Sequence, residues 1–216
     1  MRFVLAWLVL VCAACTSAPI RYYTLTAPSD EPSPATGAPL TVEVRVVHTA
    51  PQLNRSELMI RTGPSEMVLL ENERWVSPLK DEIKEAVYLE LQRRLSQMTQ
   101  VRALQAFTKL SVDIDVQRLE AETGRYALLE ASWSGNLWGA GSDRTIAGTC
   151  TFRAAEEIRG GYALIVERYQ REIAALADAM VSVLTDSARD LDGSCQTSMG
   201  SSANGSGSKD LSGFPK

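Results

Sequence analysis

Cysteine and histidine are the side chains of this chain best suited to covalent, redox or metal chemistry, and 216 residues hold only four of the first and one of the second. Cys15 stands where a thiol would be cut free and alkylated. A lone Arg2 precedes the apolar run Phe3 to Val11, and the small residues Ala13 and Ala14 lead into Cys15, as a signal peptidase that selects small side chains requires. Cleavage there makes Cys15 the new N-terminus, with acyl chains on its sulfur and amine. Position 12 is Cys where Leu is usual, but a lipid on Cys12 would put bulky Val11 beside the cut. An ordinary secreted protein cut near Ala18 is the plainer alternative. The run is shorter than the roughly 20 residues that span a bilayer. Two acyl chains are enough to hold a protein stably on a membrane surface.

The other candidates are weaker. Loss of Cys12 and acylation of Cys15 leave Cys150 and Cys195 as a candidate disulfide suited to an oxidising compartment, two free thiols being the alternative. His48 is the sole histidine, and no Cys/His spacing suggests a metal. Asp113 and Asp115 share a strand face, as an acid/base pair could, yet that face is polar and solvated carboxylates explain it. G-x-S-x-G, P-loop, H-E-x-x-H and G-x-G-x-x-G motifs are absent. A non-enzyme without cofactor or metal is therefore expected. Removing residues 1–14 deletes one charge, Arg2, leaving 21 basic against 26 acidic side chains and a net of −5. That balance argues against nucleic acid, which needs a clustered basic face.

The elements that must carry these residues fall into four segments. Residues 1–14 are the signal peptide, and 15–39 hold the lipidated cysteine, a short leader and a proline-rich linker. Residues 40–192 form an α+β domain, and 193–216 a disordered Ser/Gly-rich tail. The linker contains Pro28, Pro32, Pro34 and Pro39. As polyproline II at about 3.1 Å per residue, Thr26 to Pro39 would reach roughly 40 Å. It is instead a plain loop if Tyr22 to Leu25 joins the sheet.

Within the domain, Val42, Val44 and Val46 alternate with Glu43 and Arg45 as a half-buried strand ended by Pro51. Leu58–Arg61 and Met67–Leu70 read as two short strands around Gly63-Pro64. Ser77 as N-cap, Pro78 at the first helical position and the acidic Asp81 and Glu82 open a helix. Its stripe is Leu79, Ile83, Val87, Leu91 and Leu95, with Ala86 and Met98 beside it. Strands over 112–117, 129–137 and 146–152 follow as an antiparallel meander. A second helix runs from about Tyr162 to Asp190. The expected fold is an antiparallel β-sheet packed by two long amphipathic helices.

This order of features resembles the PqiC/YmbA-type family of auxiliary lipoproteins of ABC-type and MCE-type transport systems. The resemblance rests on Cys15, the Tyr22-Tyr23-Thr24-Leu25 cluster, the strand leading to Pro51, Leu53 and Arg55, and Trp75 ahead of Pro78-Leu79, and covers residues 12 to 190. It implies a periplasmic domain on the outer membrane, in keeping with Thr16 rather than Asp after the cysteine. The implied partners are an MCE-domain protein with an ABC permease or a PqiA-type inner-membrane complex, and the implied task is movement of lipids or other hydrophobic molecules. Assembly into a closed homo-oligomer is physically open. A scaffold or chaperone of outer-membrane assembly, with no lipid traffic, is the rival. Tyr22, Tyr23, Leu25, Arg55, Trp75, Pro78 and Leu79 read as fold markers, aromatic rings packing sheet to helix and Arg55 capping or pairing locally.

Overall fold

The computed structural model describes residues 18–28, 40–97, 107–139, 144–145, 149–185 and 196–200. These form nine strands in one sheet and two α-helices. The chain opens with β1 (Arg21–Tyr23), then β2 (Thr41–Thr49), a 3-10 turn at Pro51–Leu53, β3 (Glu57–Arg61) and β4 (Met67–Trp75). Helix α1 (Leu79–Gln97) separates these from β5 (Phe107–Glu122), β6 (Tyr126–Gly139), β7 (Arg144–Thr145) and β8 (Cys150–Glu157). Helix α2 (Tyr162–Thr185) and β9 (Gln196–Gly200) complete the described chain.

The sheet is mixed, not antiparallel throughout. The long pairs β5–β6 and β6–β8 are antiparallel, as the meander predicts, and Gly124 turns the β5–β6 hairpin at φ +78°, a conformation that favours glycine. But β1 runs parallel to β4, β2 parallel to β5, and β8 parallel to β9. Alternating polarity reports which face a residue takes and not the direction of its neighbour. Parallel pairing needs a crossover, and helix α1 lies within the connection from β2 to β5.

Two further differences concern length and composition. Strand β4 continues through the polar stretch 71–74 to Trp75, past the expected end at Leu70, because residues 71–73 are skipped in its pairing with β3 and it regains register with β1. Gln196–Gly200 pairs with Thr151–Ala155 although it falls in the segment expected to be disordered. Parallel ladder bonds to β8 hold a stretch too short for composition to reveal.

The core lies between one sheet face and the helices. Val42 and Val44 of β2, Leu110, Val112, Ile114 and Val116 of β5, and Leu129, Ala131 and Trp133 of β6 meet Ile83, Val87, Leu91, Ile173, Leu176 and Met180 from the helices. The inward side of α1 is not wholly apolar, since Glu82 and Arg94 are buried with its leucines. Arg94 joins the two helices by pairing with Glu90 on its own helix and Asp178 on α2. Met98 and residues 186–190 of the expected helices lie outside the described residues.

Candidate functional site

The residues bearing functional interest gather at the β1 edge and on the uncovered sheet face. At the edge, β1 lies against the end of β4, Tyr22 opposite Arg74 and Tyr23 opposite Trp75, and the Val76 amide donates to the Tyr23 carbonyl at 2.9 Å. The chain then meets Glu82, one turn into α1. Its Oε2 accepts from the Thr24 hydroxyl at 2.7 Å and the Leu25 amide at 2.9 Å. Its Oε1 accepts from the Ser77 amide at 3.0 Å and the Ser77 hydroxyl at 2.7 Å. One buried carboxylate thus fastens the N-terminal segment and the helix entry to each other. On the far side Gln170 of α2 donates to the Thr24 carbonyl at 3.0 Å.

This lock revises the reading of the helix start. The first helical bond runs from Glu82 to the Pro78 carbonyl, so Pro78 and not Ser77 takes the cap position, and Ser77 spends its hydroxyl on Glu82. By its place in the first turn, Glu82 reads as an acidic residue set for the helix dipole. Its real partners lie 57 and 58 residues away on one side, and no local pattern announces them.

The family-motif residues separate into two groups. Leu25, Trp75 and Leu79 are buried and Tyr23 packs partly against the core. Trp75 and Leu79 line a cleft of about 20 Å³ with Leu53, Arg55 and Tyr169, room for a single water. Tyr22, Arg55 and Pro78 are exposed. Tyr22 does not pack sheet to helix, because on an edge strand facing away from the core its ring stays in solvent.

On the face opposite the helices, Arg118, Glu130 and Arg153 stand in one row across β5, β6 and β8. Arg153 reaches Glu130 at 2.6 Å, and Arg118 spans Glu130 and Glu120. Glu120 also accepts from Arg61 at 3.0 Å and from the Tyr126 hydroxyl at 2.9 Å. Burial alone would raise the Glu120 carboxyl, but Arg61, Tyr126 and Arg118 together hold it below the usual carboxylate range. Burial, then the bond to Glu120, pushes the Tyr126 phenol up to about 12. Further along, Arg45 pairs with Asp113, Lys109 with Glu43, and both cations lie about 6 Å from the Trp138 ring centre.

His48 and Asp115 face each other across β2 and β5, a pairing hidden in the sequence by their separation. Both are exposed, and Asp113 is engaged by Arg45. No group of three His, Cys, Asp or Glu suited to a metal occurs among the described residues. Glu172 of α2 is 1 % exposed with no hydrogen-bond partner for either oxygen among the described residues. Burial, and after it the charge of Glu156, raise its carboxyl well above the ordinary range. Cys150 is disulfide-bonded. Cys15 and Cys195 lie outside the described residues, but Gln196, which follows Cys195, is in register with Thr151, which follows Cys150.

These features define a two-layer α/β domain with one helix-covered face, one ion-paired open face and an N-terminal strand locked to the helix entry. The chain belongs to the family described as ABC-type transport auxiliary lipoprotein component, whose model matches residues 23–181. No curated protein matches it in sequence. Among solved structures it is similar to an uncharacterized protein at 16% identity and TM-score 0.57, over 77% of this chain and 99% of that one. It is also similar to protein XCC0632 from Xanthomonas campestris at 15% identity and TM-score 0.51, over 76% of this chain and 95% of that one. At these identities the likeness bears on the fold alone. Among the described residues no helix is long and apolar enough to cross a membrane.

Proposed function

We propose that this chain is a lipid-anchored auxiliary component of an ABC-type or MCE-type system moving lipids or other hydrophobic molecules between membranes. Cys15 holds it at the periplasmic face of the outer membrane, and the domain acts by docking an MCE-domain partner, with no chemical step of its own. The carrying observation is that a domain matching the transport-auxiliary family over residues 23–181 begins its sheet at Arg21, six residues after Cys15.

The proline-rich stretch therefore gives no reach to the anchor. It connects β1 to β2, after the chain has already entered the sheet. Six residues extend at most about 20 Å, so the domain is held close to the bilayer and partners must come to it. Copurification of the acylated protein in mild detergent tests this reading: an MCE-domain protein or an ABC permease should be enriched. Recovery of outer-membrane assembly proteins without any transporter subunit would favour the scaffold reading instead.

A further inference from the structure

The β1 edge carries apolar side chains that the described residues leave uncovered. Ile20 is 47% exposed, Tyr22 62% and Val76 63%, three of the large apolar side chains that the described residues leave open. They follow one another along the edge. Tyr22 lies opposite Arg74, Ile20 precedes Tyr22 by two residues, and Val76, whose amide donates to the Tyr23 carbonyl, follows Arg74 by two, so Ile20 and Val76 lie on either side of Tyr22 and not beside each other. Their alternates, Tyr23 and Trp75, point inward to the core. Arg74 stands beside Tyr22 within the patch, its guanidinium partly exposed and in a long ion pair of 3.9 Å with Glu57, while Arg21 alternates with Tyr22 and turns to Glu73 at 3.8 Å.

We propose that this patch is a membrane-contact surface, seated on the headgroup region of the same bilayer that holds the lipid on Cys15. The inference rests on the anchor reading and deepens it. Chain length selects the occupant: Ile20 is five residues from Cys15 and Tyr22 seven, reaches of at most about 17 and 24 Å. The chemistry fits an interface. Aliphatic side chains sink toward the acyl boundary, a tyrosine places its ring below and its hydroxyl in the headgroups, and Arg74 beside it meets lipid phosphate. The Glu82 lock gives the contact a consequence, because it fixes β1 to the helix entry. A membrane-seated edge would therefore set the orientation of the whole domain, not only its distance.

Photo-crosslinking of the acylated full-length mature protein tests this in vesicles of phosphatidylethanolamine and phosphatidylglycerol. p-Benzoylphenylalanine is placed by Tyr22→Bpa, by Val76→Bpa and, as control, by Leu89→Bpa, an exposed α1 position about 15 Å along the helix from Leu79. Expected are phospholipid adducts at positions 22 and 76 at least tenfold above position 89. Protein that floats with the vesicles but gives adducts equal to the control overturns the patch and leaves the anchor standing. Protein adducts alone at 22 and 76 also overturn it, assigning the edge to a protein partner. Protein that carries no lipid on Cys15 and does not float overturns both.

Discussion

Replacing Glu82 with Gln changes one atom and should unfasten the N-terminal segment. The carboxylate accepts four hydrogen bonds, two from hydroxyls and two from backbone amides. A carboxamide has one accepting oxygen. The Thr24 and Ser77 hydroxyls can turn and accept from its NH2 group, but an amide cannot, so either Leu25 or Ser77 is left with an unsatisfied buried N–H. That orphan costs about 1–3 kcal/mol, and the remaining bonds drop from charge-assisted to neutral strength. The expected loss for Glu82→Gln is about 2–3 kcal/mol, and for Glu82→Ala, which removes all four, about 4 kcal/mol. Against a total stability of about 5–15 kcal/mol the change is easily measured. Urea unfolding followed by tryptophan fluorescence reads it, Trp75 being buried next to the lock. Hydrogen exchange supplies the local signature, a faster Leu25 amide. A Glu82→Gln protein within about 0.5 kcal/mol of the parent, with Leu25 protection unchanged, would refute this account of how the strand is held.

Three other substitutions probe separate parts of the fold. Glu172→Gln should stabilise the protein at neutral pH: an acid whose folded value is raised gives its full stability below the unfolded value near 4.3, then loses about 1.4 kcal/mol per pH unit above it until the folded value is reached. Urea melts at pH 4.5 and pH 7 should show the advantage of the variant widening with pH; equal curves would mean the carboxylate is solvated. Trp75→Ala should cost about 3–5 kcal/mol, because it empties a site only 5 % exposed, and thermal unfolding checks it. Non-reducing peptide mapping should recover Cys150 joined to Cys195, and Cys150→Ser should then lose about 2–4 kcal/mol in the oxidised protein.

Local patterning made much of this fold legible. The period-two stretches gave β2, β5, β6 and β8 their faces, the Gly124 turn joined β5 to β6, and the Leu79 to Leu95 stripe marked α1. Information carried across long separations was hidden. The parallel partners of β1 and β2 lie 52 and roughly 68 residues away, so local alternation points to an antiparallel sheet, and similar separations hide the Glu82 lock and the His48–Asp115 juxtaposition. Bulges at Arg45 and Gln117 shift register in ways that alternation alone does not encode. Tyr22 shows the remaining difficulty: an aromatic in a β-prone cluster suggests packing, and only the edge position of its strand reveals that it faces out.

The most direct measurement is the intact mass and membrane partition of the mature chain beside its Cys15→Ser variant. The account predicts a protein that begins at Cys15, carries three acyl chains and sediments with outer membranes, and a variant left unprocessed or released. An unmodified mature chain, or a Cys15→Ser protein that is still cut normally and stays on the membrane, would contradict it.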